Sequence, residues 1–572
     1  MLSGDSKKLI DSLEETNKWW NSKFELKFKD KEMETNMHKN NKLNFEEYTK
    51  HLGLIIECVE KNCDKDFILK NNISLIYNDI FIKKNNEGIQ HIIDEDKRKN
   101  NLRFQEFSQL IDKFNAAGIK ILPFKPPYSV LKLVNNFDVL CYDSNGLKKA
   151  EEVLIKEGYE LFFSDKYEAL KRMYIKYDEI NNIMLKIHLH TDIGWDDLVF
   201  LDKREVFDNS IIITLNGRSI LSPNKNDELL INCSHILFEN FKITLHEYIL
   251  LKKLVWFGDL NIEYLFNLSM KNGWGVPFIQ FATILSKIEE NLGDEPYIFK
   301  EMYNKIKKKN IALKYTIPNY KFPIKISRGT IQEGFKYKLK HSDISAKKKY
   351  YSYKFRRYGD IFGILKRRQK IVISLIGFDG SGKSRHAKLL RETLGEDFIV
   401  DNYYYGWEPS IIVKTVKKII GFIKLKKSEN KKVDKPKSNF LTLFLIYIEY
   451  LSRYFLYIFL NNRFKPNIVI TDRYFYDILI QNGYCGRDIL SKLFIKIFPR
   501  PTITFLLDAD TNTIRNRKDE LTIDEMLSLR NRYDCLSDSV GYIRIDTNKS
   551  LNIASTNMVK IIFKEIIKKY KV

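Results

Sequence analysis

A glycine-rich segment at residues 377–384 holds the residue types that bind phosphate groups. Gly377, Gly382, Lys383 and Ser384 fit the spacing G-x-x-x-x-G-K-[ST] in full. In such a loop the glycines let backbone N–H groups turn inward around phosphates, the lysine reaches the outer phosphates, and the serine hydroxyl binds Mg²⁺. The spacing therefore predicts a binding loop for a nucleoside triphosphate and its magnesium ion. A chance glycine-rich turn is the alternative.

The segments around this loop have the patterns that it requires. IVISLI, immediately before it, is rich in β-branched residues, and HAKLLRETLG, immediately after it, has helical character. Further apolar strands are predicted at residues 467–472, 502–508 and 542–546, with helical stretches between them. Strands that alternate with helices favour an α/β fold, a parallel sheet with helices on both faces.

Charged residues lie where two later strands of this predicted sheet end. Asp472 and Arg473 close the strand at 467–472, at the edge where an α/β sheet binds ligands. Asp472 could orient the site or hold Mg²⁺ through water; a helix cap is the alternative. Arg515 and Arg517 follow the next strand, where a mobile lid would fold over a transferred phosphate. Two solvated helix arginines are the alternative there.

The most apolar run of the chain, residues 440–460, is interrupted by Glu449 and Arg453. A membrane-spanning helix needs about 20 mainly apolar residues, and a central charge costs about 3 kcal/mol. We therefore interpret the run as a buried helix and expect no membrane span. A charge in such a helix needs an anionic partner. For Arg453 this partner is either a bound phosphate or a structural carboxylate such as Glu449.

Together these motifs resemble those of thymidylate kinases over roughly the last 200 residues, about one domain in length. IGFDGSGKS resembles the phosphate loop of that family, in which an acidic residue holds the place of Asp379. TDRYFYD, FPRPTITFLLDAD, IRNRKDE and IDTNKS resemble four further elements, in the family's order. The resemblance implies phosphoryl transfer that depends on ATP and Mg²⁺, with a nucleoside monophosphate, dTMP-like, as the acceptor.

The resemblance also implies a role for each matching residue. Because position 381 is serine rather than arginine, the lid is implied to carry the catalytic arginine. The residues implied in catalysis are Lys383, Asp472, Arg515 and Arg517. Those implied in nucleotide binding are Gly377, Asp379, Gly380, Ser381, Gly382, Lys383, Ser384 and Arg385. Acceptor contacts are implied for Asp379, Arg453 and Arg473, and metal binding is implied for Ser384 and Asp472.

The sequence departs from the thymidylate kinase pattern mainly on the acceptor side. Arg385 and His386 stand where the family usually has Thr-Gln or similar, and YYYGWEPS at 403–410 differs from its acceptor segment. A lysine-rich insertion at 424–439 is interpreted as a mobile loop. The acceptor base is therefore open. The alternatives are a kinase of another small acceptor and a non-catalytic, nucleotide-binding regulatory module.

Residues 104–260 resemble a family of nucleotidyltransferase-like proteins through the order of their elements. A Gly-Ile start, the strand FDVLCY, a helix and a strand that ends in a histidine-containing turn follow one another. The resemblance implies an α+β domain with helical extensions. Nucleotidyltransferases hold two Mg²⁺ ions with carboxylates at i and i+2 of a strand, which places both on one face. Here these positions are Asn136 and Asp138.

The remaining metal positions of this half argue against nucleotidyl transfer. A third carboxylate is absent from the following strand, where Lys186, His188 and His190 stand. One carboxylate beside a lysine does not hold the two metal ions that a triphosphate needs, so we expect a retained, degenerate fold without catalysis. His188 and His190 share a strand face and could ligate a metal. Asp138 could instead pair with a lysine such as Lys125.

The length of 572 residues and the net charge of +23 allow several domains and favour polyanionic partners. We expect a helical region at 1–103, a nucleotidyltransferase-like domain at 104–330, a basic linker at 331–369 and a thymidylate kinase-like domain at 370–572. The linker could bind nucleic acid, although a solvated segment is the simpler interpretation. The N-terminal sequence lacks the apolar core of a signal peptide. We expect a cytoplasmic enzyme that could form a homodimer.

Overall fold

The computed structural model describes residues 87–125, 134–163, 170–215, 218–256, 260–293, 297–307, 321–361, 371–395, 398, 400–406, 440–455, 468–481, 489–517 and 522–570. The chain divides into two compact units. The first runs to Arg357, without residues 179–182 but with 570–572; the second comprises residues 179–182 and 358–569. Most of the helical region expected at 1–103 lies outside the described residues.

The first unit combines a mixed sheet with helices. Its elements in chain order are α1 (Glu87–Ala116), β1 (Ile121–Phe124), β2 (Phe137–Cys141), α2 (Ser144–Lys156), β3 (Glu160–Phe163), β4 (Lys171–Asp178), β5 (Ile183–His190), β6 (Ile193–Trp195), β7 (Leu198–Leu201), α3 (Lys203–Asp208), β8 (Ile211–Leu215), β9 (Arg218–Ser222), α4 (Lys225–His235), a π-helical turn (Ile236–Asn240), β10 (Lys242–Ile243), α5 (Leu245–Trp256), α6 (Ile262–Lys271), α7 (Gly275–Leu292), α8 (Ile298–Lys307), β11 (Ile324–Lys325), α9 (Arg328–Lys340) and α10 (Ile344–Ile361).

The larger sheet of this unit has the strand order β1-β2-β5-β4-β3. β2 and β5 run parallel, and the other neighbouring pairs are antiparallel. α2 begins where the Asp143 carboxylate accepts a hydrogen bond from the Gly146 N–H (2.6 Å), and the chain leaves it through Gly158 at φ 82°. Such a cap and a left-handed glycine are common helix boundaries. With β2 before this helix and β5 after it, the predicted order of strand, helix and strand is present in this unit.

The segment at 331–369, expected to be an open linker, is mostly helical in its described part. α9 and α10 cover most of it, and the first unit extends to Arg357. Phe335, Lys338 and Tyr353 are buried, and Lys338 Nζ donates to the Asn272 carbonyl oxygen (2.6 Å). Aromatic residues between the lysines give these helices an apolar side to bury, which outweighs the repulsion of like charges.

The second unit is built on a parallel sheet. Its elements are β12 (Ile371–Gly377), α11 (Lys383–Gly395), β13 (Val400–Tyr404), α12 (Phe440–Arg453), β14 (Ile468–Asp472), α13 (Phe475–Gln481), α14 (Ile489–Ile497), β15 (Ile503–Asp508), α15 (Thr511–Arg517), α16 (Ile523–Val540), β16 (Ile543–Asp546) and α17 (Leu551–Tyr570).

The five strands of this sheet are all parallel, in the order β13-β14-β12-β15-β16. Every residue of the central strand β12 is buried, as expected for a strand covered on both faces. The mixed α/β class and the parallel sheet predicted for this part of the chain are confirmed. The order also places the ends of β12, β14 and β15 side by side, where the predicted phosphate-binding residues lie.

No helix within the described part of the chain is both long enough and apolar enough to span a bilayer. The apolar run forms α12 up to Arg453, and residues 456–467 lie outside the described ranges.

Candidate phosphate-binding site

The loop between β12 and α11 has a backbone that only glycines adopt without strain. Gly377, Gly380 and Gly382 have φ values of 141°, 89° and 92°. A Cβ atom on Gly377 would lie 2.4 Å from the Leu507 carbonyl oxygen, too close for any side chain. The three glycines therefore allow the loop to curl tightly between the central strand and its helix.

Lys383 folds back into this loop. Its Nζ donates to the carbonyl oxygens of Gly377 (2.8 Å) and Phe378 (2.6 Å), and it lies 3.6 Å from the Asp379 carboxylate. Burial lowers the pKa of the Lys383 ammonium, and the negative charge of Asp477 opposes this. The two closest partners of this buried cation are neutral carbonyl oxygens, and a phosphate would supply a stronger anionic partner.

Ser384 and Asp472, both predicted as metal ligands, are hydrogen-bonded to each other. The Ser384 hydroxyl donates to Asp472 Oδ2 at 2.5 Å. The other carboxylate oxygen, Asp472 Oδ1, is buried and has no hydrogen-bond partner among the described residues. A carboxylate oxygen beside a serine hydroxyl belongs to the oxygen ligand set that Mg²⁺ prefers. The two residues therefore fit a magnesium ion, held directly or through water.

Arg473 lies directly after β14 in a left-handed backbone conformation, with φ 74°. A non-glycine residue in this region is strained, and such strain often accompanies function. Its N–H donates to the Leu375 carbonyl oxygen (2.9 Å). The guanidinium is hydrogen-bonded to the Asp379 carboxylate and donates to Asp477 Oδ2 (2.8 Å). The Asp379–Arg473 pair thus joins the glycine loop to the end of β14.

Asp477 is a site residue that the sequence reasoning missed. It is fully buried, and its Oδ1 accepts hydrogen bonds from the Gly377 N–H (3.1 Å) and the Tyr533 hydroxyl. Together with the hydrogen bond from Arg473, these contacts allow Asp477 to stabilise the loop from its buried side. The i, i+4 spacing of Arg473 and Asp477 across a helix start is the sequence signal that could have identified it.

A cavity of about 870 Å³ opens at this end of the sheet, within the usual range of about 300–1,000 Å³ for ligand pockets. The predicted residues that line it are Asp379, Gly380, Ser381, Gly382, Lys383, Ser384, Arg385, Asp472, Arg473 and Arg517. The lining residues that were not predicted as site residues are His386, Tyr404, Thr547, Asn548, Lys549, Ser550 and Leu551. The segment IDTNKS and the glycine loop are therefore brought to one pocket.

The two lid arginines differ in position. Arg517 lines the cavity and donates to the Thr547 carbonyl oxygen (2.8 Å), which ties α15 to the segment after β16. Arg515 is exposed and does not line the cavity. Residues 518–521, which complete the predicted lid, lie outside the described residues.

Arg453 is buried at the end of α12 but does not line the cavity. Its Nε donates to Glu449 Oε1 (2.8 Å), and its Nη1 donates to the Gly406 carbonyl oxygen (2.7 Å). The structure thus contains the structural carboxylate partner that was the alternative for this residue. The rest of the segment YYYGWEPS, residues 407–410, lies outside the described ranges, and so does the insertion at 424–439.

In the first unit, the sheet brings Asp138 together with the two histidines of β5. Asp138 Oδ1 lies 2.8 Å from His190 Nε2 and 3.1 Å from His188 Nδ1. Lys125 Nζ is 3.9 Å from Asp138 Oδ2. Burial alone would raise the pKa of Asp138, but Lys125 and the two histidines hold it well below its usual value. The Asp138 carboxylate therefore lies beside both the lysine and the two imidazoles that the sequence analysis considered.

The second unit, with its parallel sheet, glycine loop and inward-folded lysine, fits a P-loop type of fold. A scan against family models finds no match, and no curated protein matches the chain. Among solved structures, the chain is similar to the crystal structure of thymidylate kinase from Ehrlichia chaffeensis. That likeness has 20% sequence identity and a TM-score of 0.24, and covers 34% of this chain and 98% of that chain.

Proposed function

We propose that the second unit is a P-loop phosphotransferase that uses ATP and Mg²⁺ to phosphorylate a nucleoside monophosphate, with a dTMP-like acceptor as the first candidate. The observation that carries the proposal is the convergence of Lys383, Arg473 and Arg517 with the Ser384–Asp472 pair on one cavity. Phosphoryl transfer gathers negative charge at one point, and catalysis consists mainly of positioning and electrostatic stabilisation.

Each group has a role that follows from its chemistry. Lys383 would hold the outer phosphates of the nucleotide, and Ser384 with Asp472 would hold the metal, which when bound neutralises phosphate charge. Arg517 would stabilise the charge that develops on the transferred group. Asp379 can only accept hydrogen bonds when ionised, so it suits a hydroxyl group of the acceptor rather than its phosphate.

One observation favours a second candidate, a kinase of another small-molecule acceptor on the same fold. Arg453, the residue that the thymidylate kinase resemblance assigns to the acceptor phosphate, is engaged by Glu449 and the Gly406 carbonyl oxygen. An acceptor that lacks this phosphate contact would leave that pair intact. We also propose that the first unit retains a nucleotidyltransferase-like fold without nucleotidyl transfer.

A screen of acceptors tests the proposal. The full-length protein is incubated with ATP and Mg²⁺ and with each nucleoside monophosphate, nucleoside or other small hydroxylated compound, and ADP release is measured. Lys383→Ala should reduce the rate about 100-fold or more, as expected when one positioned electrostatic group is removed. The matched control is Lys388→Ala, because Lys388 is an exposed lysine on the same helix and should not affect the rate.

Release of ADP that needs a nucleoside monophosphate and Lys383 would support the first candidate. Release that needs another acceptor would support the second. ATP binding without turnover on any acceptor would favour a nucleotide-binding regulatory module. Equal turnover by wild type and Lys383→Ala would contradict the P-loop assignment.

A further inference from the structure

The first unit contains a cluster of three side chains that has no role in the proposed kinase. Asp138 lies on β2, and His188 and His190 lie on β5. The ligand atoms of the three residues all lie within 4.8 Å of one another. His190 is fully buried, whereas the side chain of His188 is 17% exposed. The cluster is thus mostly enclosed but accessible from one side.

The strand register explains why these residues meet. In the parallel β2–β5 pair, Asp138 lies opposite His188, and Leu140 lies opposite His190. Residues at i and i+2 of a strand share a face, so both imidazoles point to the face that carries the Asp138 carboxylate. The cluster is therefore fixed by two hydrogen-bonded strands rather than by loops, which holds its ligand atoms in place.

The separations between the donor atoms suit a shared metal ion. Ligands bound about 2.0–2.2 Å from one ion lie roughly 3–3.5 Å from each other. Asp138 Oδ1 lies 2.8 Å from His190 Nε2 and 3.1 Å from His188 Nδ1. These two distances need only a small outward movement to admit an ion, and all three ligand atoms lie within 4.8 Å of one another.

We propose that Asp138, His188 and His190 form a binding site for a divalent transition-metal ion of the Zn²⁺ type. Imidazole nitrogens suit zinc and its neighbours in the first transition row, whereas Mg²⁺ and Ca²⁺ prefer sets of oxygen ligands. With two nitrogens and one carboxylate, the set matches three-ligand zinc sites, in which a fourth position stays open to water or another group.

Asn136 is placed to complete the site. Its side-chain amide group lies 3.2 Å from Asp138 Oδ2 and 3.2 Å from His188 Nδ1. Amide oxygen and nitrogen positions are assigned from hydrogen bonding, and rotation of the amide by half a turn would direct the oxygen toward the cluster. Asn136 can therefore support the carboxylate as a donor or approach the ion as an oxygen ligand.

Lys125 places a positive charge near the other oxygen of the Asp138 carboxylate. Its Nζ is 3.9 Å from Asp138 Oδ2 and 4.0 Å from the ring of Trp195. It pairs with Oδ2, whereas the two histidines are hydrogen-bonded to Oδ1. A lysine at this distance weakens cation binding by repulsion, which favours an ion that gains strongly from nitrogen ligands over one bound by charge alone.

The test uses the full-length protein after treatment with a chelator and removal of that chelator. Zn²⁺ binding is measured by titration calorimetry, and Co²⁺ is added as a spectroscopic probe. We expect one saturable Zn²⁺ site per chain, a visible absorption band of four- or five-coordinate Co²⁺ that Zn²⁺ abolishes, and no displacement of Zn²⁺ by excess Mg²⁺.

Two ligand variants and one control distinguish this site from adventitious binding. Asp138→Asn and His188→Gln should each lose about 100-fold or more in Zn²⁺ affinity, because even an outer-shell change typically costs about 10–100-fold. His188 is the more exposed ligand, so His188→Gln preserves folding if Asp138→Asn does not, and circular dichroism checks both variants.

The control is His341→Gln, because His341 is an exposed histidine on a helix end in the same unit. This variant should bind Zn²⁺ as the wild type does. Absence of a saturable site, undiminished affinity in a folded His188→Gln protein, or equal loss in His341→Gln would each overturn the assignment.

Discussion

The buried carboxyl group of Glu228 offers a quantitative test of the electrostatics in the first unit. Glu228 lies on α4 and is 1% exposed. Its Oε1 accepts a hydrogen bond from Asn232 Nδ2 (2.6 Å), whereas Oε2 is buried without a hydrogen-bond partner in the described part of the chain. Burial raises the pKa of Glu228 to about 7, although Asn232 and the Lys125 backbone N–H oppose this.

The sign of the effect follows from the direction of this shift. The folded protein favours the protonated carboxyl group, whose pKa in the unfolded chain is near 4.5. Stability is therefore highest below the unfolded pKa and falls as the pH rises from about 4.5 toward 7. At 1.36 kcal/mol per pKa unit, the loss between pH 5 and pH 8 is about 2–3 kcal/mol.

Glu228→Gln removes this titration and keeps the oxygen that accepts from Asn232. The variant can lose some stability at every pH, because its amide N–H groups lack partners. Relative to the wild type, however, its free energy of unfolding should rise by about 2–3 kcal/mol between pH 5 and pH 8. Glu152→Gln, an exposed position on α2, is the matched control and should show no such change.

Tryptophan emission during urea unfolding, with a chelator present, provides the assay. Trp195 and Trp274 are both buried in the first unit, which holds five of the six tryptophans of the chain, so the emission follows mainly the unfolding of that unit. Parallel stability profiles for wild type and Glu228→Gln would refute the reasoning, because they would mean that Glu228 titrates alike in the folded and unfolded chain.

Two further predictions concern the second unit. Asp477→Asn should destabilise the second unit by about 3 kcal/mol or more, because removal of one partner of a buried ion pair typically costs about 3–5 kcal/mol. Hydrogen exchange over residues 371–395 should therefore accelerate. Unchanged exchange there would contradict the role of Asp477 in stabilising the loop. Arg517→Ala should lower kcat about 100-fold with little change in the nucleotide KM, whereas Arg515→Ala should have a small effect because Arg515 does not line the cavity. Wild-type kinetics in both variants would exclude a catalytic lid arginine.

The sequence predicted the local elements of the site well, because the signals that define them are local. The β-branched run before Gly377, the glycine spacing and the helix after Ser384 are contiguous, and the structure has β12, the loop and α11 there. The strands that end at Asp472 and Asp508 were equally clear, since apolar runs of this length between turn residues indicate buried strands.

What the sequence left open depends on contacts between distant segments. Asp477 is 100 positions from Gly377, yet it accepts the Gly377 N–H. Arg453 could be assigned either to a phosphate or to Glu449, because both interpretations satisfy a buried charge. The basic segment expected as a linker is helical over α9 and α10, and Phe335 is buried there. Whether aromatic side chains between lysines find a surface to pack on depends on distant segments.

Each unit contains a buried carboxylate beside side chains that could ligate a cation. In the second unit, Asp472 Oδ1 is buried without a hydrogen-bond partner in the described residues and lies beside a serine hydroxyl, an oxygen set that suits a hard ion such as Mg²⁺. In the first unit, Asp138 is also buried at a strand, but its neighbours are two imidazoles. Nitrogen ligands favour ions of the zinc type. We propose a bound cation in both places, and the neighbouring ligands determine which class of ion we propose.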